Sequence, residues 1–172
     1  MPLVTLSEAI QQREHWRQAR QVVVLTNGCF DLLHVGHVEY LTRARALGDA
    51  LIVGVNDDAS VRRLKGPGRP LVPAVERATL VAALAAVDLV VIFEGDTAIE
   101  LVQGLRPDIY AKGGDWGEPG GRRPPEWAAA QAVGAAVHYL PYLPGHSTTR
   151  LIQHILDQMG AGLAREPGGL SR

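Results

Sequence analysis

The run Thr26-Asn27-Gly28-Cys29-Phe30-Asp31-Leu32-Leu33-His34-Val35-Gly36-His37 gathers the side chains best suited to chemistry. If a helix starts near His34, the two imidazoles stand three residues apart on one face, beside the helix's positive end. Gly36 leaves space between them for a phosphate or a nucleotide ring, and Gly28 permits a close backbone approach or a positive φ. Backbone N–H groups and two imidazole donors then converge on one spot, which suits a polyphosphate. Spacing alone leaves three readings open: phosphate chemistry, structural or capping histidines, and half of a zinc site. For the zinc site, no other Cys/His pair supplies the remaining ligands. The chain has neither a Walker-type phosphate loop nor a Gly-x-Gly-x-x-Gly fingerprint.

These residues need a frame to hold them. Five short apolar runs, at 22–26, 51–55, 89–93, 108–111 and 136–140, read as strands, several of them continuous enough to be covered on both faces. Helical spacing lies between them. Val38, Leu41, Ala44 and Leu47 mark one helix, with Gly48 as its stop. Residues 75–86 form another, with Leu80 and Leu84 on one side. Thr97 is placed to cap 98–105, and Ser147 to cap a last helix over 148–159. An opening helix over about 7–20 has sparse apolar positions and should pack at the periphery. This alternation predicts a Rossmann-like, doubly wound α/β fold: a five-stranded, mostly parallel sheet with helices on both faces. In such sheets ligands sit beyond the carboxyl ends of the strands, where strand order reverses, so the turn after the first strand is the place to look.

Two loops, Lys65-Gly66-Pro67-Gly68-Arg69-Pro70 and residues 113–125, are too rich in glycine, proline and charge for a core and have the length of functional or mobile segments. One domain over 1–159 is expected, with 160–172 as a flexible tail. A net charge of −1 supplies no global basic field, which argues against a nucleic-acid partner. The lone Cys29 excludes an internal disulfide. No stretch approaches the roughly 20 apolar residues of a membrane span, and the first residues lack a secretory pattern, so no membrane partner and a cytoplasmic location are expected.

The run 26–37 closely resembles the signature of the cytidylyltransferase-like nucleotidyltransferases, whose motif is His-x-Gly-His. Their second landmark, Ser-Thr-Thr at the start of a late helix, is matched by Ser147-Thr148-Thr149. Further matches follow in order: Gly48-Asp49, Val55-Asn56-Asp57-Asp58, Arg63-Leu64-Lys65-Gly66, Arg69-Pro70, Glu76-Arg77, Ala86-Val87-Asp88 and Lys112-Gly113-Gly114-Asp115-Trp116. Together they resemble the adenylyltransferase domain of the bacterial heptose pathway, over roughly residues 3–158. That domain makes ADP-heptose from ATP and D-glycero-β-D-manno-heptose 1-phosphate.

The resemblance implies attack of a sugar phosphate oxygen on the α-phosphorus of ATP, with loss of pyrophosphate. His34, His37 and Lys65 are then the catalytic candidates: the histidines on the α- and β-phosphates, and Lys65 closing over the phosphates. Thr26, Asn27, Gly28, Cys29, Phe30, Asp31 and Gly36 would frame the nucleotide, together with Arg77, Gly114 and Asp115. Ser147, Thr148 and Thr149 would hold the β- and γ-phosphates. Asp31, Asn56, Lys65, Lys112 and Trp116 would face the sugar phosphate. Plainer readings stand beside these: an N-cap for Ser147, a loop brace through Glu76 or Asp57 for Arg77, a salt bridge for Lys112 and a cap for Asp115. Mg2+ is implied on the triphosphate, with no protein metal site. ATP and a sugar phosphate are the implied partners, along with a homodimer, which is common among relatives, and a separate sugar kinase to supply the substrate.

Two alternatives remain. One is cytidylyl transfer to another phosphorylated acceptor such as glycerol 3-phosphate. Enzymes of that kind carry a non-basic residue where Lys112 stands, and an arginine that the stretch 142–146 lacks; Arg150 could neutralise phosphate instead. The other is a nucleotide sensor without chemistry, against which the intact histidines and Ser-Thr-Thr count.

Overall fold

The computed structural model describes residues 2–114, 116 and 122–163, with side chains through Met159. The elements are α1 (Leu6–Gln18), β1 (Val23–Gly28), α2 (Val35–Arg45), β2 (Ala50–Asn56), α3 (Asp58–Lys65), α4 (Ala74–Ala82), β3 (Leu89–Phe93), α5 (Ile99–Leu105), β4 (Ile109–Gly113), α6 (Trp127–Ala132), β5 (Ala136–Leu140) and α7 (Thr148–Leu163). The five strands form one sheet in the order β3-β2-β1-β4-β5, every pair parallel. The expected doubly wound α/β fold is therefore present, with an entirely parallel sheet.

Strand alternation divides the core in two. Val23, Leu25 and Tyr110 pack in one cluster with Ala9, Leu101 and Ala130, on the side of α1, α5 and α6. Val24, Leu51 and Val53 pack in the other with Leu41, Ala44 and Val81, on the side of α2 and α4. Both faces of β1 and β2 are thus covered, which is why their sequences run apolar without a break. Strand order reverses between β1 and β4. There the ladder is short, with partners only at Val24–Ile109 and Leu25–Tyr110, whereas β1 stays paired with β2 as far as Gly28–Val55. Beyond Leu25 the two central strands part, and a crevice opens at their carboxyl ends.

The opposite end of the sheet, at the amino ends of its strands, is closed by three aspartates. Asp49 accepts from Val22 N at 2.8 Å, Asp88 from Leu51 N at 2.7 Å and Asp108 from Val23 N at 2.8 Å. Each carboxylate satisfies an amide at the entry of a neighbouring strand, where the ladder supplies no acceptor. Arg45 and Arg13 in turn hold Asp88 and Asp108, each at 3.1 Å. Two of the landmark aspartates, Asp49 and Asp88, are therefore parts of the frame.

Several local expectations change. The opening helix starts at Leu6, fixed by a Thr5–Glu8 capping box. In α2 the buried face is Gly36, Tyr40, Leu41 and Ala44, with Val38 exposed. Gly48 lies beyond the helix end; a β-carbon there would fall 2.6 Å from Val22 O, so close approach to β1 is what requires glycine. In α4 the buried face is Ala74, Arg77, Ala78 and Val81, and Leu80 faces solvent, because the small residues allow close packing on the sheet. Thr97 does not cap α5: Ala98 holds the cap position, and Glu126 Oε1 accepts its N–H at 3.0 Å. Helices α3 and α6 were not foreseen. The last helix continues past 159 to Leu163, so residues 160–163 belong to it, and the rest of the expected tail lies outside the described residues.

Candidate active site

His34 is the N-cap of α2 in extended backbone, and His37 follows within the first turn. Their rings stack with centroids 3.8 Å apart. His37 Nδ1 accepts the His34 N–H at 3.4 Å, so the neutral ring carries its proton on Nε2, free to donate. Burial, reinforced by His34, pulls the His37 pKa down to about 4, and burial followed by His146 also lowers that of His34. Both imidazoles are therefore neutral donors at neutral pH before any anion arrives. The Nδ1 atom of His34 is buried without a protein partner. Gly36 makes the stack possible: a β-carbon on it would stand 3.0 Å from His34 Nδ1 and 3.1 Å from His146 Cβ.

The loop that delivers these histidines is bent by two non-glycine residues in left-handed backbone, Phe30 (φ 50°) and Leu32 (φ 48°), while Gly28 keeps strand geometry. Phe30 is buried, its ring tilted against His37 at 5.4 Å. Asp31 is buried and accepts from Arg69 Nε at 2.6 Å, Leu71 N at 2.9 Å and Val72 N at 3.0 Å. Burial alone would raise its pKa, but these donors outweigh burial and hold it below the usual carboxylate range. The far half of the 65–70 loop is thus fastened to the β1 turn.

Arg77 is also internal. Buried in α4, it donates to Cys29 O, to Val72 O and Asn56 O at 2.8 Å each, and to Asp58 Oδ1 at 2.7 Å. It braces the loop through Asp58, not through Glu76 or Asp57. Asn56 donates to Ser60 Oγ and Gly95 O. The hydroxyl of Thr26 pairs with Tyr40 Oη at 2.6 Å in the core. These side chains shape the loop from behind. Partial burial raises the Cys29 thiol pKa despite Lys65 nearby. Lys65 closes α3 with its side chain exposed and no ion pair among the described residues.

The second motif arrives from α7. Thr148 Oγ1 donates to Asp31 O at 2.7 Å, and Ser147 Oγ accepts from Arg150 N at 3.2 Å as a cap. Thr149 is exposed. Between the starts of α2 and α7 runs a groove of about 200 Å³ lined by His34, Gly145, His146, Ser147, Arg150 and His154, with no carboxylate in its wall. Donors of this kind around a helix N-terminus suit an anion with several phosphates.

On the α5–α6 side of the crevice, Lys112 donates to Asn27 Oδ1 at 3.1 Å and pairs with Glu126 at 3.2 Å. Gly114 takes a left-handed turn beneath the Tyr142 ring, and Trp116 is half-buried just beyond; Asp115 lies outside the described residues. Tyr40, Glu126, Tyr110 and His146 were missed from the sequence. Tyr40, three residues after His37, could have been found from helical spacing; Glu126 stands in a proline-rich stretch with no periodicity.

A larger cavity, of about 760 Å³, lies at the opposite end of the sheet between α1 and α5. Its Arg13 is bound to Arg106 O and Asp108, the arrangement that closes the strand entries. The carboxyl-end crevice, which brings the His34 ring beside the α7 N-terminus, is the better candidate on chemistry.

A cytidylyltransferase-like family pattern matches residues 25–153. The chain is 49% identical over 150 residues to the bifunctional protein HldE of Syntrophotalea carbinolica, covering 85% of this chain and 29% of that protein. It is 51% identical over 155 residues to the HldE of Magnetococcus marinus, covering 88% and 31%. The chain thus spans about three-tenths of the length of these relatives. Among solved structures, the lipopolysaccharide core biosynthesis protein of Thermoplasma volcanium GSS1 superposes with a TM-score of 0.58 at 27% identity, covering 72% of this chain and 97% of that one. The pantoate-beta-alanine ligase of Francisella tularensis shares the fold, with a TM-score of 0.55 at 12% identity over 96% of this chain and 80% of its own.

Proposed function

Since this chain belongs to the cytidylyltransferase-like family and is a nucleotidyltransferase, we propose that it transfers the adenylyl group of ATP to a sugar 1-phosphate, D-glycero-β-D-manno-heptose 1-phosphate, giving ADP-heptose and pyrophosphate. The observation that carries this reading is the stacked His34–His37 pair beside the α7 N-terminus, set at the sheet's switch point. The likeness to HldE proteins and to a lipopolysaccharide core biosynthesis protein supports a sugar acceptor.

A phosphate-ester oxygen of the acceptor attacks the α-phosphorus in line, and the bond to the β-phosphate bridging oxygen breaks, releasing pyrophosphate. The nucleophile is already anionic near neutral pH, so the protein need supply no general base. Its task is to bring two anions together and to stabilise charge on the α-phosphoryl oxygens. His37 Nε2–H and the His34 imidazole donate to the α- and β-phosphates. The Ser147–Thr149 turn, with the α7 backbone behind it, takes the β- and γ-phosphates. Lys65 closes over them from the end of α3. No covalent enzyme intermediate is required.

The donor set fits Mg2+ delivered on the nucleotide. Among the described residues no group of three or more His, Cys, Asp or Glu side chains could hold a metal ion, and Asp31, the carboxylate of the motif loop, is buried with three protein donors on it. The ion would keep phosphate oxygens and water as ligands and neutralise triphosphate charge. On this reading the acceptor comes from a sugar kinase, and the site works in the cytoplasm. No helix among the described residues is long and apolar enough to cross a membrane.

The test is pyrophosphate release across a panel pairing ATP or CTP with heptose 1-phosphate or glycerol 3-phosphate. Release with ATP and the heptose ester supports the proposal; release only with CTP and glycerol 3-phosphate overturns it. Binding of ATP without turnover on any acceptor would favour a nucleotide sensor.

A further inference from the structure

Lys112 has nothing left to give a ligand. Its Nζ donates to Asn27 Oδ1 at 3.1 Å, Tyr110 Oη at 3.2 Å and Glu126 Oε2 at 3.2 Å, and an ammonium has only three N–H bonds. The Lys112 side chain is 14% exposed and that of Glu126 is 2%. The second oxygen of Glu126 is occupied by the Ala98 N–H. To reach a substrate, Lys112 would have to leave a buried partner, at considerable cost.

Asn27 stands differently. Its Oδ1 receives both Tyr110 Oη–H, at 2.6 Å, and Lys112 Nζ. An ammonium cannot accept a hydrogen bond, so the amide cannot turn over without setting two donors face to face. The amide nitrogen is thereby pointed away from Lys112. It has no hydrogen-bond partner among the described residues and is not among their buried unpaired atoms. It sits one residue before the end of β1, where β1 and β4 part.

We infer that the Asn27 side-chain N–H is the donor offered to a substrate phosphate oxygen, and that Glu126 is a positioning residue that sets it through Lys112. The inference rests on the crevice being the nucleotidyl-transfer site. The phosphate belongs either to ATP or to the sugar ester, and the two are separated by experiment.

Binding of Mg-ATP and of heptose 1-phosphate, each measured by calorimetry without turnover, is compared for wild type, Asn27→Asp, Glu126→Gln and the double variant, with thermal unfolding in parallel. Asn27→Asp keeps the oxygen that Lys112 needs but removes the donor, so affinity for the ligand whose phosphate it faces falls about 100-fold. Glu126→Gln costs about tenfold for that same ligand, and adds no more than about twofold in the Asn27→Asp background, because it acts through Asn27. Should Glu126→Gln fail to fold, Tyr110→Phe removes the other donor to Oδ1 and shows the same dependence on Asn27. Unchanged binding of both ligands by Asn27→Asp overturns the inference while leaving the proposed reaction standing. A Glu126→Gln loss that multiplies fully onto that of Asn27→Asp reduces Glu126 to a brace. A folded wild type that binds neither ligand overturns the functional reading and this inference with it.

Discussion

Thr148 Oγ1 donates to the carbonyl of Asp31 at 2.7 Å, joining the first turn of α7 to the loop after β1 across 117 residues of sequence. The bond holds the two sequence motifs, which the chain keeps far apart, in one geometry. Thr148→Val keeps the shape and removes the donor. It should weaken ATP binding about tenfold and cost about 1 kcal/mol of stability, measured by calorimetry and urea unfolding. Unchanged ATP affinity would mean the two motifs do not depend on each other.

Asp31 carries the opposite weighting, toward stability. Asp31→Asn breaks a buried ion pair with Arg69 and sets an amide against the Leu71 and Val72 donors, so a loss of about 3 kcal/mol is expected in urea unfolding. Because its folded pKa is lowered, Asp31 protects the native state at neutral pH. That protection is lost as the pH falls through the ordinary carboxylate range and below it. The variant should therefore show a flatter stability profile in acid than the wild type.

These contacts also mark how far the sequence could be read. The continuous apolar runs of β1 and β2 reflect a sheet covered on both faces there, whereas the edge strand β5 is exposed at Ala136 and His138, and the local signatures at 26–37 and 147–149 fell at opposite sides of one groove. Hydrophobic periodicity misplaced the inner face of α4, since a fully buried arginine, Arg77, occupies a position that the pattern scores as surface. Glu126 was invisible for a different reason: its role depends on Lys112 and Ala98, which only the fold brings near. Of the residues matched by motif, Asp31, Asn56 and Arg77 have side chains spent inside the protein, so a motif marks the support of a site as readily as its surface.

His37 provides a pH test that needs no substrate. Burial and His34 bring its pKa to about 4, against an ordinary value near 6.5. In NMR titration of the free protein its ring should stay neutral down to about pH 4; a midpoint at 6 or above would contradict the geometry. The native state then binds fewer protons than the unfolded chain between pH 4 and 6.5. Stability should fall as pH drops through that window, and by less in His37→Asn. Binding of the triphosphate should raise the midpoint, since an anion favours the protonated ring.

Gly36 separates the geometry of the imidazole pair from folding. A β-carbon there would stand 3.0 Å from His34 Nδ1 and 3.1 Å from His146 Cβ, so these neighbours must give by a few tenths of an ångström, and His146 is exposed. Gly36→Ala should leave the urea midpoint nearly unchanged while lowering kcat about 100-fold, by displacing the imidazole stack. A large loss of stability with kcat preserved would place the glycine in the frame.

On the proposed function, this crevice joins the adenylyl group of ATP to a sugar 1-phosphate. Purified protein incubated with Mg-ATP and D-glycero-β-D-manno-heptose 1-phosphate should yield ADP-heptose and pyrophosphate in equal amounts by mass spectrometry and phosphate assay, with neither formed when the sugar ester is left out. Absence of ADP-heptose while another phosphate ester is turned over at the same site would contradict it.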